Sequence, residues 1–414
     1  MALRVWLPLN GNINNYGISD AIATNSGATV DNNGKIGKCY SFNGSSAKIS
    51  TSINLTPEMS FCTWVKFNSV QNFVIDARNS SGQGYQPMYI SSTGVQIYSS
   101  GSPSGGYINY SFSTNVWYHL VVSYSNNKGY LYVNGTLVGT IGVASLTLNN
   151  SILTIGSRYS SERSLNGKLN DIRVYDHALS PKEVKELSKG LCLHYKLDGV
   201  CNTIDSTEWD CSGFGNNGIK NGSITVSNDT GRYSSSYKFG TTSSKIKLPA
   251  FSYSGLANSY SFSWWQKNTG SGNMPWGFSD GNRLNLYHTT NLCWNTGDGG
   301  GNPFKDSSGT AIPNTRLCDS TWHHCVVTGN GSTTKLYIDG IYAGAATTYK
   351  AITGTQIYIS GWDTSTSYTF SGSNLSDFRI YATVLSDADI KELYNTPLSI
   401  DNVGNMYTYE FKEI

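Results

Sequence analysis

Apolar and polar positions alternate most clearly at Trp117–Gly135, WYHLVVSYSNNKGYLYVNG. His119 to Tyr124 is mostly β-branched or aromatic and predicts a strand on a packed, pleated surface. Asn126-Asn127-Lys128-Gly129 is a turn cluster, and Tyr130 to Val133 is the return strand. Asn134-Gly135 predicts a type I′ hairpin turn, because both central residues of that turn need positive φ. Leu137-Val138 then opens a third strand. The same meander recurs at Trp322–Gly340, where Asp339-Gly340 closes the turn before Ile341-Tyr342-Ala343. Trp117 and Trp322 are expected to be core rings.

Five further blocks repeat in the same order. VWLPLNG (5–11) is matched by LHYKLDG (193–199), and GKCYSFNGSSAKI (37–49) by SSYKFGTTSSKIKL (235–248). SFCTWVKF (60–67) is matched by SFSWWQK (261–267), and LTIGS (153–157) by IYISG (357–361). LNGKLNDIRVYDHALSPKEVKEL (165–187) finally matches FSGSNLSDFRIYATVLSDADIKEL (370–393). Such ordered self-similarity means one structural plan written twice. Strands are short and punctuated by Gly, Asn, Ser and Thr, as in sandwiches and jelly rolls.

One short helix closes each copy. Ser180-Pro181-Lys182-Glu183 is a capping box with Pro at the first helical position, and Val184 and Leu187 form the apolar side. Ser386-Asp387-Ala388-Asp389 repeats the cap, with Ile390 and Leu393 as the apolar pair. The predicted domains are residues 1–190 and 191–395, with 396–414 as a tail in which Met406–Phe411 alternates like a strand. The link at Lys189-Gly190 is short, so close coupling of the domains is expected. The fold class is all-β: two tandem antiparallel jelly-roll sandwiches, each closed by one helix.

Composition narrows the function. The chain has 414 residues, 38% hydrophobic and 14% charged, with Gly 44, Tyr 28 and Trp 10. Formal net charge is +2 with no basic run, which argues against a nucleic-acid partner. No stretch reaches membrane-spanning length, so no membrane insertion is expected. The opening MALRVWLPLNGN lacks the pattern of a secretory leader. Cysteines at 39, 62, 192, 201, 211, 293, 318 and 325 do not repeat with the domains and form no C-x-x-C pair, which favours free thiols. Disulfides among the last five remain open should the protein work outside a cell.

Catalytic patterns are missing. No E-x-D-x-E strand, which would pair carboxylates for glycoside hydrolysis, is present. No Cys/His nucleophile signature occurs, and GDGGGN (297–302) lacks a P-loop Lys. His119 and His324 share a repeat position and are expected at a sheet edge. Asp171 and Asp377 each stand two residues before an Arg, in DIRVY and DFRIY, and are expected to cap amides or pair with arginine.

The SFCTWVKF, W-x-H-x-V-V, L-Y-V/I-N/D-G and N/S-D-I/F-R-V/I-Y segments, with the L-S-P-K-E-V-K-E-L helix, resemble the laminin-G-like, concanavalin A-like lectin/glucanase superfamily across nearly the whole chain, twice. The resemblance implies a two-sheet jelly roll and a binding module rather than an enzyme. It also implies that calcium could sit between the Asp171 or Asp377 strand and the N-terminal strand. Asp198 would join Asp377 in copy two, whereas copy one offers only the neutral Asn10, so copy two is the better metal candidate. The opening MALRVWLPLNG and the join YDHALSPKEVKELSKGLCLHYKL are similar to phage virion proteins with tandem laminin-G-like domains. That implies a decoration, fibre or tail adhesin protein made in the host cytoplasm and carried on the virion. Its expected partners are glycans of the bacterial surface or mucus, other virion proteins, and further copies of itself in a homo-oligomer. The alternative is a purely structural virion component without sugar binding.

Sugars need flat aromatic faces and a few planar polar groups on loops. Copy two offers Trp276, Asn282, Arg283, Tyr287, Trp294, Asn295, Trp362 and Asp363 between its framework strands; copy one offers Tyr85, Tyr89, Arg158, Tyr159 and Arg163. Tyr159 and Trp362 fall in equivalent loops. Trp276, Trp294 and Trp362 lie where copy one has no Trp, which places the expected glycan site on copy two.

Overall fold

A computed structural model of the protein describes residues 2–100, 106–199, 206–229, 231–233, 235–250, 256–257, 259–270, 273–279, 285–295, 301–346, 352, 356–364 and 366–395. The chain divides into two compact units, Met1–Gly190 and Leu191–Ile414. Asn282, Arg283 and the 396–414 tail lie outside the described residues.

In the first unit an 8-stranded sheet runs in the order Thr136–Gly142, Lys128–Val133, Trp117–Ser125, Met59–Phe67, Asn166–Tyr175, Cys39–Asn43, Thr29–Asp31. Leu3–Leu7 pairs beside Asn166–Tyr175. A 7-stranded sheet runs Gly106–Asn109, Gly94–Ser99, Gly84–Ile90, Asn72–Arg78, Leu148–Ile155, Lys48–Leu55, Thr24–Ser26. All the pairings are antiparallel. The period-2 pattern of each strand sorts its side chains between faces. Phe61, Val65, Phe67, Tyr118, Leu120, Val122 and Tyr124 enter one core shared with Ile75, Met88, Leu153 and Ile155 of the other sheet.

The second unit keeps the 8-stranded sheet: Ile224–Ser227, Ser236–Phe239, Asn374–Tyr381, Tyr260–Lys267, Trp322–Gly329, Thr334–Ile338, Ile341–Ala346, with Leu191–Tyr195 beside Asn374–Tyr381. Opposite lie a 5-stranded sheet, Thr207–Glu208, Gly218–Asn221, Lys245–Lys247, Ile357–Ile359, Trp276–Phe278, and a 3-stranded sheet, Asn285–His288, Leu292–Asn295, Asn302–Pro303.

The turn chemistry read from sequence is present. Asn134 and Gly135 have φ of 49° and 82°, and Asp339 and Gly340 have 52° and 76°. Each turn side chain also accepts a backbone N–H from the strand before it: His119 N donates to Asn134 Oδ1 and His324 N to Asp339 Oδ1, both at 2.9 Å. Helix α1 (Pro181–Ser188) carries its capping box, with Ser180 N donating to Glu183 Oε2 at 2.7 Å and Glu183 N to Ser180 Oγ at 3.3 Å. Helix α2 (Asp387–Asn395) repeats it through Ser386 and Asp389.

Two expectations need correction. Trp117 and Trp322 are half-buried rather than core, because the strand alternation turns Tyr118, Leu120 and Val122 inward and leaves the opening Trp outward. Trp322 Nε1 instead donates to Asp229 Oδ1 at 3.0 Å. His119 and His324 do not lie at an edge: their strands are interior to the sheets, and both rings are buried. His119 packs on Trp64 at 5.1 Å and His324 on Trp265 at 5.2 Å. Burial holds them in the neutral form, with pKa values pushed down to about 3 and about 4. Every described cysteine is a free thiol.

Candidate functional site

Trp276 and Trp294 are core, not ligand platforms. Both are 0% exposed. Trp276 stacks on Phe262 at 4.3 Å and meets Trp264 at 5.5 Å and Trp294 at 6.0 Å. Trp276 pairs with Ile359 as the core residue Ile75 pairs with Ile155 in the first unit, so the indole fills an inward position of the shared plan. Tyr85 is likewise core, stacked on Tyr124 at 4.0 Å.

The aspartates proposed for calcium are engaged by cations and ring N–H groups. Asp171 and Asp377 sit at matching bulges with φ of 57° and 53°. Asp171 Oδ1 accepts from Trp6 Nε1 at 2.6 Å and from Arg173 Nε at 2.9 Å. Asp377 Oδ1 lies 2.9 Å from His194 Nε2 and accepts from Arg379 Nε at 2.7 Å and Tyr233 OH at 3.1 Å, while Arg232 Nε stands 3.8 Å from Oδ2. Burial alone would raise the Asp377 carboxyl, but the charge of Arg379 and the hydrogen bonds outweigh it and hold it well below the usual range. A divalent cation would meet guanidinium groups here. Asp198 is buried, and among the described residues no group of three or more His, Cys, Asp and Glu is placed to hold a metal. These residues do not fit calcium as the resemblance implied; they fit the arginine pairing read from DIRVY and DFRIY.

One constellation resembles a nucleophile site and is not one. Cys318 Sγ lies 3.8 Å from His288 Nδ1, but Asn268 Nδ2 holds the same nitrogen at 2.7 Å. Burial pushes the thiol up to about 11 and the imidazole down to about 3, so neither thiolate nor imidazolium forms near neutrality.

The structure does assemble the candidates of the first unit. The loop after Leu148–Ile155 turns at Gly156, whose φ is 78° and whose added Cβ would lie 2.3 Å from the Phe42 ring. It closes through Leu165 N to Gly156 O at 2.8 Å and is pinned to strand Asn72–Arg78 by Phe73 N to Arg163 O at 3.0 Å. Tyr159 N donates to Asp76 Oδ2 at 3.1 Å. Asp76 in turn binds Arg78, at 2.9 Å to Nε and 2.7 Å to Nη2. The Arg78 guanidinium stands 4.9 Å from the centre of the Tyr159 ring, and that of Arg158 stands 5.1 Å from it. Arg163 donates to Tyr89 OH at 3.1 Å, and Tyr89 packs on Phe73 at 4.7 Å. Tyr159 and Arg158 are half-buried and Arg163 is exposed. The result is a half-buried tyrosine ring overlain by the guanidinium groups of Arg78 and Arg158, in a rigid cationic frame. Asp76, Arg78 and Phe73 escaped the sequence reading. Their signal is the Asp-x-Arg spacing in VIDAR, which puts two charges on one face of an otherwise apolar strand.

In the second unit the equivalent loop turns at Ser360, with φ of 68°, and leaves Trp362 and Asp363 half-buried. Burial lowers the pKa of Lys245, and the charge of Asp363 opposes that shift. Tyr287, also half-buried, meets Tyr368 edge-on at 5.3 Å.

A family model described as the concanavalin A-like lectin/glucanases superfamily matches residues 42–185 and again residues 239–391. Among solved structures, domain 4 of a GH43 extracellular arabinanase from Geobacillus stearothermophilus, in complex with arabinotriose, is 18% identical with a TM-score of 0.37, covering 45% of this chain and 98% of its own. A native heptameric SAP-like pentraxin from Limulus polyphemus is 19% identical with a TM-score of 0.32, covering 37% of this chain and 83% of its own. Domains LG4-5 of the mouse laminin alpha1 chain are 11% identical with a TM-score of 0.28, covering 83% and 90%. These TM-scores all lie below 0.5, and the kinship rests on the sequence match. No curated protein matches the chain.

Proposed function

The chain belongs to the concanavalin A-like lectin/glucanase superfamily, and from that premise we propose that it is a non-enzymatic carbohydrate-binding protein. The observation that carries the reading is the Tyr159 platform, framed by Arg78, Arg158 and Arg163 on a loop locked at both ends. The outward guanidinium groups of Arg158 and Arg163 donate to sugar oxygens, and C–H groups of the sugar pack against the accessible part of the Tyr159 side chain. The Trp362–Asp363 loop, with Tyr287 and Tyr368, is the second candidate platform.

The setting we propose is a phage particle, with the protein as an adhesin or decoration that meets glycans of the host surface or of mucus. Its support is the likeness of the MALRVWLPLNG opening and the YDHALSPKEVKELSKGLCLHYKL join to virion proteins. Many copies on one particle would convert weak single sites into firm attachment. A second reading, a structural component using protein contacts alone, draws on Ile341 and Tyr342. These are 72% and 42% exposed on the edge strand Ile341–Ala346, and exposed apolar edges pair with other chains. An array of bacterial-surface and mucin glycans probed with the intact protein separates the two. Carbohydrate-dependent retention is expected, and no retention of any glycan favours the structural component.

A further inference from the structure

We infer that the Tyr159 loop selects glycans bearing negative charge, an inference that rests on the carbohydrate-binding reading above. Four cations converge on this loop. Arg78 is matched by buried Asp76, and Arg158 by Glu162 at 2.9 Å. The other two have neutral partners: Lys48 Nζ donates to Ser161 Oγ at 2.7 Å, and Arg163 donates to Tyr89 OH. The contacts of the loop therefore leave two positive charges in excess around the Tyr159 ring.

The acceptor side points the same way. A neutral sugar presents hydroxyl donors and is best held by free carboxylate or amide oxygens. Asp76 cannot supply them, because Oδ1 takes Arg78 Nε and Oδ2 takes both Arg78 Nη2 and Tyr159 N. The exposed Glu162 is taken up by Arg158, and beyond that pair what the loop offers outward is donors on cations, which suit carboxylate, sulfate or phosphate oxygens. The loop also holds Ser161 and Arg163 at φ of 63° and 51°. Non-glycine residues persist in that region when the surroundings over-determine them, so the direction in which Arg163 leaves the backbone is set before any ligand arrives.

The test titrates the intact protein with a galacturonic-acid oligosaccharide, the methyl ester of the same oligosaccharide, and a sulfated galactose oligosaccharide. The acid is expected to bind about tenfold tighter than its uncharged ester at low salt, roughly the value of one charge-assisted hydrogen bond. The gap should close as NaCl rises to about 0.5 M. The double variant Lys48→Gln, Arg163→Gln should bind acid and ester alike while keeping the melting temperature of the parent. Preference for the sulfated oligosaccharide over the ester also supports the proposal and assigns the charge to sulfate. Equal binding of acid and ester by the parent overturns charge selection and leaves carbohydrate binding intact. Binding of none of these, together with an empty neutral array, overturns both.

Discussion

Trp6 Nε1 donates to Asp171 Oδ1 at 2.6 Å, and His194, at the matching position of the second unit, meets Asp377 Oδ1 at 2.9 Å. In both units a ring from the first strand and an Arg two residues onward share one buried carboxylate oxygen. The left-handed backbone of the Asp lets the bulged strand aim that oxygen at both. Asp377→Ala would leave the largely buried Arg379 without its counterion, so it should destabilise the second unit by about 3 kcal/mol. Calorimetry of the single variants checks this, with Asp171→Ala acting in the same way on the first unit. A melt unchanged in either would remove the carboxylate from the fold's support.

The same contacts bear on calcium. With arginine on Asp171 and Asp377, millimolar Ca²⁺ or a chelator should leave the melting temperature where it is. A bound ion at a hundredfold excess over its dissociation constant would raise stability by about 2.7 kcal/mol, so a shift that disappears in Asp377→Asn would contradict this assignment.

Trp276→Ala and Trp294→Ala each remove a fully buried ring from a contiguous aromatic cluster. Losses of about 3–5 kcal/mol are expected, read as a lower unfolding midpoint in urea. Either variant melting like the parent while losing a ligand would restore these rings to a binding role.

Acid should weaken the first unit through His119. Its folded pKa, pushed down to about 3 by burial and by the charge of Arg173, lies below the ordinary value near 6.5. Between those values the unfolded chain holds a proton that the folded chain does not, so stability falls as pH drops below about 6.5. The slope approaches about 1.4 kcal/mol per pH unit. His119→Gln should flatten that slope in denaturation curves between pH 6 and pH 4; an unchanged slope would mean that His119 is not the group responsible.

Much of the fold was legible because the sequence spells it in local terms. Asn134-Gly135, Asp339-Gly340 and the Ser180 and Ser386 caps are short-range signals whose geometry follows from residue type. The arginine partners of Asp171 and Asp377 were legible for the same reason, lying two residues away on one strand. Trp276 and Trp294 were misread because burial is a long-range property. Trp276 pairs with Ile359 as Ile75 pairs with Ile155 in copy one, but the sequence between these strands is too different for that core position to be seen by comparing the copies. The Tyr159 frame was half legible: Arg158, Tyr159, Arg163 and Tyr89 stood out by type. Asp76, Arg78 and Lys48 come from other strands, and only folding brings them to the loop.

The Tyr159 loop is proposed as a sugar platform. It is tested most directly by titrating the intact protein and its Tyr159→Ala variant with the tightest-binding oligosaccharide from the array, using isothermal calorimetry alongside a thermal melt. Loss of at least about tenfold in affinity, with the melt of the variant matching the parent, is the expected result, since one stacked ring carries energy of that order. Unchanged affinity in the Tyr159→Ala protein would place the carbohydrate site elsewhere.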